Sequence, residues 1–341
     1  MKIAEFNYNL PSVLIAQSPV SPCDHSRMLV LYKKTGAIEH QHFFNLPNLI
    51  NNNYVLVFNE TRVMPARVFT KKPSGGKLEI LFLEEIKPQV WEVLIRGKVK
   101  VGLKINLDKN LKTEVINREK EIILLKVNQS KQKLLQFLEK SGHMPLPPYI
   151  KTKMKENEAR KKYQTIFAKI TGSAAAPTAS LHFTKRILKQ LEENKIQTAF
   201  INLEVGWGTF APVKAENIKN HKIHHEKVII SRNTADFLNE QKRLGKKILA
   251  VGTTVARALE SATDQNGLLH EFNNKTSLYI YPPYQFKFVD ALLTNFHLPK
   301  SSLLFLVSAF AGRKNIFKAY REAIKKKYRF FSFGDCMLIK R

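Results

Sequence analysis

The sequence is poor in cysteine. Only Cys23 and Cys336 are present, and they lie near opposite ends of the 341 residues. Two cysteines are too few for a disulfide framework or for a thiolate zinc site. This usage fits a protein of the reducing cytosol.

Long apolar segments are also lacking. The longest, residues 303–311, is less than half of the roughly 20 residues that span a bilayer, so we expect no membrane segment. Residues 1–9 contain neither an apolar stretch nor a small-residue cleavage site, so we expect no signal peptide. Together with the scarcity of cysteine, these absences predict a cytoplasmic protein.

Acidic residues are outnumbered by basic ones. The chain has 28 Asp and Glu against 56 Lys and Arg, a formal net charge of +28. Such a field attracts polyanions and strengthens their binding through counterion release, so nucleic acid is the first candidate partner. A general bias toward lysine and asparagine would give the same charge without any partner. The charge alone leaves both interpretations open.

Several familiar catalytic motifs are absent. The sequence has no Walker A motif, no Gly-x-Ser-x-Gly and no Cys-x-x-Cys. Its hydrophobic fraction of 44% and charged fraction of 25% are those of an ordinary globular protein. From the residues alone, the prediction stops at a basic α/β enzyme or an RNA-binding protein.

The first half of the chain contains a β-rich segment. Short strands are predicted at 77–83, 91–95, 103–107, 113–116 and 121–127, with short turns between them, which favours a small barrel or sandwich. A helix is predicted to begin after Ser130 as N-cap and to end before Gly142. The proline-rich residues 144–149 that follow are extended and mark a domain boundary.

The rest of the chain has an α/β pattern. Strands are predicted at 54–58, 200–205, 248–251 and 277–281, with helices at 254–261 and 316–327; residues 248–281 form one βαβ unit. Because the strand at 54–58 precedes the β-rich segment, that segment is predicted to be an insertion. The predicted fold is an α/β main domain, a mixed sheet with flanking helices at 1–66 and 149–341, carrying an inserted small all-β barrel domain at 67–148.

Two glycine-containing motifs follow predicted strands. Residues 206–211 match the spacing of a dinucleotide fingerprint, but Pro212 stands where that motif would open a helix. A glycine loop that lets a ligand approach the backbone, or a plain turn, are the alternatives. Residues 252–257 place N–H groups and two hydroxyls where an anion or a hydroxylated ligand could bind. Helix capping by either threonine explains those hydroxyls equally well.

Three further polar motifs are ambiguous on their own. The histidines and glutamate of 221–226 lack the spacing of a zinc site and suit acid–base chemistry, substrate contact or a protein surface. Residues 59–62 with Arg67 suit phosphate binding or surface ion pairs. Residues 294–299 and 328–335 mix aromatic with polar side chains, which suits base stacking or core packing.

Taken in order, these motifs resemble the S-adenosylmethionine:tRNA ribosyltransferase-isomerase family of queuosine biosynthesis. The resemblance covers nearly the whole chain. Its segments are 14–19 (LIAQSP), 26–27 (SR), 59–63 (NETRV), 65–67 (PAR), 145–150 (PLPPYI), 163–165 (YQT), 175–179 (AAPTA), 181–184 (LHFT), 208–210 (GTF), His221 with His224 and Glu226, 252–254 (GTT) with Arg257, 294–299 (TNFHLP), 328–330 (YRF) and 334–335 (GD).

The resemblance implies both fold and reaction. Members of the family have a large α/β domain with an inserted all-β barrel. They transfer and isomerise the ribosyl moiety of S-adenosylmethionine onto 7-aminomethyl-7-deazaguanine at wobble position 34 of tRNA. The products are epoxyqueuosine-tRNA, adenine and methionine. We therefore expect tRNA and S-adenosylmethionine as partners, no metal, no cofactor beyond the consumed S-adenosylmethionine, no membrane, and a monomer.

That reaction defines what the site must contain. A base removes a proton beside the sulfonium, an acid assists the departure of adenine, and the RNA base is unstacked. The sulfonium favours carboxylates or aromatic faces. The candidates for proton transfer and sulfonium contact are His182, His224, Glu226, His297 and Asp335. The candidates for binding substrate or tRNA are Asn59, Thr61, Arg62, Arg67, Thr178, Gly206, Gly208, Thr209, Gly252, Thr253, Thr254, Arg257, Asn295 and Arg329.

The chain departs from the family pattern at a few positions. Glu204 stands where the family carries a histidine, and the ordinary pKa of a carboxyl is about two units lower, so Glu204 stays outside the predicted site. Further departures are Glu60, Ser180, Trp207 and Pro283. Two rival functions remain at this point: a tRNA-binding protein without catalysis, and an S-adenosylmethionine-dependent RNA methyltransferase.

Overall fold

The computed structural model describes residues 1–119, 121–151, 154–206, 213, 215–221, 223 and 225–341. Its strands are β1 (Arg27–Tyr32), β2 (Ile38–His42), β3 (Tyr54–Asn59), β4 (Thr61–Val63), β5 (Arg67–Lys71), β6 (Lys77–Lys87), β7 (Val90–Arg96), β8 (Lys104–Asn106), β9 (Lys112–Glu119), β10 (Ile122–Val127), β11 (Ile170–Ser173), β12 (Gln197–Leu203), β13 (Glu226–Ile230), β14 (Lys247–Val251), β15 (Phe272–Thr276), β16 (Ala291–Asn295) and β17 (Cys336–Lys340). Its α-helices are α1 (Leu46–Leu49), α2 (Lys131–Ser141), α3 (Glu156–Lys162), α4 (Lys185–Glu193), α5 (Arg232–Arg243), α6 (Thr253–Ala262), α7 (Ser302–Ala311) and α8 (Arg313–Lys325). Within this described part of the chain, no helix combines the length and the apolarity needed to cross a bilayer.

A nine-stranded mixed sheet organises the larger part of the chain. Its order is β15-β13-β12-β3-β14-β16-β17-β1-β2. The strands β12, β3, β14 and β16 run parallel, so their carboxyl ends meet at one edge of the sheet. Because β17 runs antiparallel to β16 and parallel to β1, the segments that precede β17 and β1 reach the same edge. This edge positions the site described below.

Both faces of the large sheet are covered. Every residue of β3 is buried, as expected for a central parallel strand. Because side chains alternate between faces along a strand, Val55 and Val57 pack in the core that includes residues of α5, α6, α7 and α8. Leu56 and Phe58 pack in the second core, which includes residues of α1 and α4.

A second sheet has six antiparallel strands in the order β5-β6-β7-β10-β9-β8. The hydroxyl of Thr70 on β5 donates to the carbonyl of Asn106 on β8 over 3.2 Å, so the two edge strands meet and the sheet is nearly closed into a barrel. Helix α2 packs on it, with Leu134 and Leu138 buried in the barrel core. The five strands predicted between 77 and 127 are confirmed as β6 to β10.

In the sequence, the barrel strands lie between the first three strands of the large sheet, β1 to β3, and its last six, β12 to β17. The chain leaves the large sheet after β3, forms β4 and the barrel strands, and returns through β11, which pairs parallel with β4. The next strand, β12, then pairs directly with β3. The chain therefore forms the antiparallel barrel between β3 and β12, two strands that are neighbours in the mixed sheet.

Helix caps follow their sequence signals. Ser130 accepts a hydrogen bond from the Lys133 N–H and Gly142 follows the last turn of α2, as predicted. Thr184 caps α4 in the same way through the Ile187 N–H. The predicted helix at 316–327 is confirmed as α8, although it begins three residues earlier and ends two residues earlier.

The predicted strand at 277–281 is wrong. β15 ends at Thr276, whose hydroxyl accepts the Leu278 N–H over 3.1 Å and so removes a donor that a strand ladder would need. Pro282 and Pro283 follow, and neither has an N–H to donate. The βαβ unit that begins with β14 and α6 is completed instead by β16, which pairs parallel with β14.

Candidate active site

A cavity opens at the edge where the parallel strands end. It encloses about 770 Å³ of empty space, part of it continuous with solvent. Its walls come from the segments that follow β12, β14 and β16, together with parts of 176–179 and 331–332. Ligands of open α/β sheets bind in the crevice outside the carboxyl ends of their strands, so this cavity, the main cavity below, is the natural candidate site.

The turn from β14 into α6 forms one wall of the main cavity. Gly252 has a φ of 105°, a conformation that favours glycine, and its N–H donates to the Leu293 carbonyl over 2.8 Å. Gly252 is also the N-cap of α6 and provides no side-chain cap, so neither Thr253 nor Thr254 is the capping residue. Both threonines line the main cavity instead.

A chain of hydrogen bonds fixes Asn295 in the wall of the main cavity. The Thr178 hydroxyl donates to Asn295 Oδ1 over 2.9 Å, and Asn295 Nδ2 lies 3.2 Å from His182 Nε2. Because the amide donates to Nε2, the proton of His182 is assigned to Nδ1, which lies 2.7 Å from the Ser26 hydroxyl. The structure thus brings the predicted residues Thr178, His182 and Asn295 together, with His182 buried behind Asn295.

His297 lies in the wall of the main cavity. Its Nε2 is 3.0 Å from the Thr294 hydroxyl, and its backbone N–H donates to the Tyr320 hydroxyl over 3.0 Å. Burial lowers the pKa of His297 to about 3. Burial also lowers the pKa of His182 to about 4, with a smaller contribution from Arg329. Both imidazoles are therefore uncharged at neutral pH.

A second, smaller cavity adjoins the first. Its empty space is about 470 Å³, part of it continuous with solvent, and it shares Thr253, Thr254 and Leu303 with the main cavity. We call it the Arg257 cavity; its remaining lining residues are His221, Ile223, Arg257, Tyr279, Ile280, Ser302 and Leu306.

Arg257 is held by a buried ion pair. Its Nη2 contacts Glu226 Oε2, and both side chains are almost fully buried. Glu226 Oε1 also accepts the Gly206 N–H over 3.2 Å, which ties the segment after β12 to the start of β13. Burial lowers the pKa of Arg257 to about 10, so the guanidinium remains charged at neutral pH. Three predicted residues, Gly206, Glu226 and Arg257, therefore form one unit beside the cavities.

Two predicted binding residues tie strands together away from both cavities. Asn59 is fully buried; its Oδ1 accepts the N–H groups of Thr61 and Leu203, and its Nδ2 donates to the Leu203 carbonyl. Thr61, also buried, lies with its hydroxyl 3.5 Å from the Ile170 carbonyl. Neither residue lines the main cavity or the Arg257 cavity.

Asp335 and Arg329 form a turn before β17. Asp335 is buried and accepts the N–H groups of Arg27 and Arg329 over 3.0 and 2.8 Å. Its Oδ2 also lies 3.4 Å from Arg27 Nε. The Arg329 guanidinium donates to the Ser18 carbonyl, and burial lowers the pKa of Arg329. The structure brings neither residue to the lining of the two cavities.

Arg62 and Arg67 lie where the barrel joins the large sheet. Arg62 is half exposed and pairs with Glu139 on α2 over 3.5 Å. Arg67 pairs with Glu79 over 3.3 Å and donates to the Leu146 carbonyl over 2.8 Å. Burial lowers the pKa of Arg67. Both arginines therefore have local partners, and neither lines a described cavity.

Three predicted residues, Gly208, Thr209 and His224, lie outside the described residues. The interpretations of the 206–211 glycine segment and of His224 therefore stay predictions. Across the described ranges, no group of three or more His, Cys, Asp or Glu side chains is arranged to hold a metal ion.

Some cavity residues were absent from the predicted site. Tyr149 lines the main cavity and its hydroxyl is 2.5 Å from the Ser332 hydroxyl. Tyr279 lines the Arg257 cavity. Tyr149 belongs to the 145–150 motif, so that motif carried a signal for it. Tyr279 had no such signal because it stands in a segment predicted to be a strand.

Comparisons with known proteins cover almost the entire chain. A family model described as "Queuosine biosynthesis protein" matches residues 3–339. The S-adenosylmethionine:tRNA ribosyltransferase-isomerase of Aquifex aeolicus is 47% identical over 340 residues, covering 99% of this chain and all of the relative. The enzyme of the same name from Thermotoga petrophila is 45% identical over 342 residues with the same coverage.

A solved structure shares the fold. The crystal structure of S-adenosylmethionine tRNA ribosyltransferase from Thermotoga maritima aligns with a TM-score of 0.56 at 36% identity, covering 98% of this chain and 99% of that one. The mixed sheet with helices and the nearly closed six-stranded barrel match it. The chain belongs to the queuosine biosynthesis protein family.

Proposed function

We propose that this protein transfers and isomerises the ribosyl moiety of S-adenosylmethionine onto 7-aminomethyl-7-deazaguanine at the wobble position of tRNA. The products are epoxyqueuosine-tRNA, adenine and methionine. The observation that carries the proposal is the similarity, at 44–47% identity over 99% of the chain, to enzymes named for this reaction. S-Adenosylmethionine is a substrate here, and no further cofactor enters the proposal.

The shape of the site supports a substrate with two chemically different ends. The main cavity has largely apolar walls with a few amide and hydroxyl groups, which suits a nucleobase or nucleoside. The adjoining Arg257 cavity contains a buried cation. The first turn of α6, with Thr253 and Thr254, lies in the walls of both.

The five predicted catalytic residues fall into three groups. His297, whose pKa of about 3 lies far below the working pH, is too weak a base for efficient proton abstraction and suits a neutral hydrogen-bonding role. His182 positions Asn295, Glu226 positions Arg257, and Asp335 positions the turn before β17. We assign proton transfer to the 221–226 segment, which contains His224 and contributes His221 to the Arg257 cavity.

The tRNA is proposed to dock through the basic surface of the chain. The net charge of +28 supports attraction of the polyanion, and the exposed Arg62 is the predicted arginine best placed for phosphate contact. We propose domain limits of 1–66 with 149–341 for the catalytic part and 67–148 for the barrel. A monomer acting in the cytoplasm remains part of this proposal.

One assay tests the reaction. The purified protein is incubated with S-adenosylmethionine and tRNA that carries 7-aminomethyl-7-deazaguanine, and both small products and digested nucleosides are analysed by mass spectrometry. We expect adenine, methionine and a nucleoside heavier by the transferred pentosyl group. Asn295→Ala should slow the reaction, while Asn273→Ala, which changes an exposed asparagine, serves as the matched control.

The rival functions give different products. A methyltransferase would release S-adenosylhomocysteine and add only a methyl group to the RNA. A non-catalytic tRNA-binding protein would leave S-adenosylmethionine unchanged. Either result, in place of adenine release, would overturn the proposed function.

A further inference from the structure

The Arg257 cavity contains two buried hydrogen-bond donors without partners among the described residues. One is Nη1 of Arg257, whose Nη2 is already engaged by Glu226. The other is the hydroxyl of Tyr279. Both side chains line the same cavity, and Arg257 is only 6% exposed. The large majority of buried polar atoms in folded proteins are satisfied, so two orphaned donors in one cavity indicate a ligand that accepts hydrogen bonds.

Both groups keep their protons at neutral pH. Burial lowers the pKa of Arg257 only to about 10, so the guanidinium stays charged. Burial raises the pKa of the Tyr279 phenol, with the neighbouring Tyr281 adding to the effect, so its hydroxyl stays a donor. A cation and a neutral donor facing one cavity suit an anionic acceptor, because charge-assisted hydrogen bonds are the strongest of this kind.

Burial restricts the size of that anion. A tRNA phosphate carries the polynucleotide on both sides and reaches exposed arginines such as Arg62, but Arg257 is enclosed. A carboxylate at the end of a flexible chain can enter the enclosed cavity, because only one side of it is attached to the rest of the ligand. The Arg257–Glu226 pair has no net charge, and neither does an α-amino acid zwitterion, so its binding leaves no uncompensated charge in the protein interior.

We propose that the Arg257 cavity binds the α-carboxylate of the methionyl part of S-adenosylmethionine, with Arg257 Nη1 and the Tyr279 hydroxyl as its donors. This inference rests on the proposed function for the identity of the ligand. The nucleoside part then extends past Thr253 and Thr254 into the main cavity, which shares those residues. The rings of His221 and Tyr279, whose centroids are 5.5 Å apart, provide aromatic faces on the path of the sulfonium.

The binding mode predicts discrimination against a substrate that lacks the carboxylate. Wild-type protein is compared on S-adenosylmethionine and on decarboxylated S-adenosylmethionine, which retains the nucleoside, the sulfonium and the amine. Adenine release in the presence of the modified tRNA gives kcat/KM for each. We expect decarboxylated S-adenosylmethionine to be poorer by on the order of 100-fold, because Arg257 Nη1 and the Tyr279 hydroxyl are then left buried without their anionic acceptor.

Three variants separate the contact from general damage to the fold. Arg257→Lys keeps a cation beside Glu226 but loses the second guanidinium nitrogen, so the ratio between the two substrates should fall at least several-fold. Tyr279→Phe should reduce the ratio by a smaller factor. Tyr281→Phe is the matched control, because Tyr281 neighbours Tyr279 with ring centroids 4.9 Å apart but does not line the cavity, and it should keep the wild-type ratio.

Direct binding separates failure of this inference from failure of the proposed function. Calorimetric titration of the wild-type protein with each compound, with and without unmodified tRNA, requires no turnover. If the protein binds S-adenosylmethionine tightly and decarboxylated S-adenosylmethionine weakly but releases no adenine, the proposed function is wrong and the inference stands. Equal kcat/KM or equal affinity for the two compounds would overturn the inference while adenine release upheld the function. Binding of neither compound, without turnover, would overturn both.

Discussion

The two buried histidines beside the main cavity make the fold sensitive to mild acid. His182 and His297 have folded pKa values of about 4 and about 3, against an ordinary value of 6.5. Because the unfolded chain binds a proton at each histidine below pH 6.5 and the folded chain does not, the free energy of unfolding falls as the pH falls from about 6.5 to about 4. Above pH 7 both histidines are neutral in both states and contribute no pH dependence.

The size of the effect follows from linkage. Each histidine contributes at most about 1.4 kcal/mol per pH unit in that window, so the pair should lower the free energy of unfolding by about 2 kcal/mol between pH 6 and pH 5. Urea unfolding followed by circular dichroism at pH 5, 6, 7 and 8 measures this loss. His297→Gln should remove about half of it, and His182→Gln with His297→Gln should remove most of it.

A matched variant makes the test specific. His42→Asn changes an exposed histidine, so the pH 6 to pH 5 loss should keep its wild-type size. Two results would show that burial of the two uncharged imidazoles is not the cause. One is a fall in the wild-type free energy of unfolding of less than about 0.5 kcal/mol over this interval, and the other is the full wild-type fall in the double variant.

Three further substitutions test the site and its supports. Asn295→Ala removes the amide held in the cavity wall, and kcat/KM for adenine release should fall on the order of 100-fold. Glu260→Gln weakens a buried carboxylate that accepts the Tyr284 hydroxyl and the N–H groups of 287–289, and the free energy of unfolding in urea should drop by about 2 kcal/mol. Asn59→Ala leaves the Leu203 N–H and carbonyl without their partner, so thermal unfolding should also show a loss of about 2 kcal/mol.

Each of these has a control on the exposed surface. Glu271→Gln and Asn273→Ala change exposed residues of the same types and should shift stability by no more than about 0.5 kcal/mol. If Asn295→Ala kept the wild-type kcat/KM, Asn295 would have no role in substrate binding or catalysis. If Glu260→Gln or Asn59→Ala were no less stable than its control, the hydrogen bonds described for that residue would not stabilise the fold.

Local pattern was sufficient to predict the barrel. Strands β6 to β10 are closely spaced apolar segments separated by short turns, and Ser130 and Gly142 mark the ends of α2. Turns and helix caps depend on residues that are close in the sequence, so they can be recognised without the structure. The strand predicted at 277–281 is wrong although its composition is typical of a strand. The Leu278 N–H donates to the Thr276 hydroxyl, and composition does not reveal this hydrogen bond.

The site could be predicted only in part. The motifs after β14 and β16 line the main cavity because parallel strands bring their carboxyl ends to one edge. Asn59 and Asp335 also belong to polar motifs next to strands. Their side chains, however, accept backbone N–H groups and line neither cavity. A buried polar residue that ties strands together and one that faces a ligand have the same sequence signature, and only their hydrogen-bond partners separate them.

Charge is distributed very unevenly between the surface and the site. The chain carries a net charge of +28, but Arg257 is the only Lys, Arg, Asp or Glu among the described residues that line the two cavities. Long-range attraction of tRNA needs no contact with the reacting groups, so surface charge can supply it. A sulfonium substrate would be repelled by further cations in the cavity, and the lowered pKa values of His182 and His297 keep both imidazoles uncharged. The positive charge of the chain as a whole therefore suits attraction of a polyanion, whereas the two cavities contain almost none of that charge.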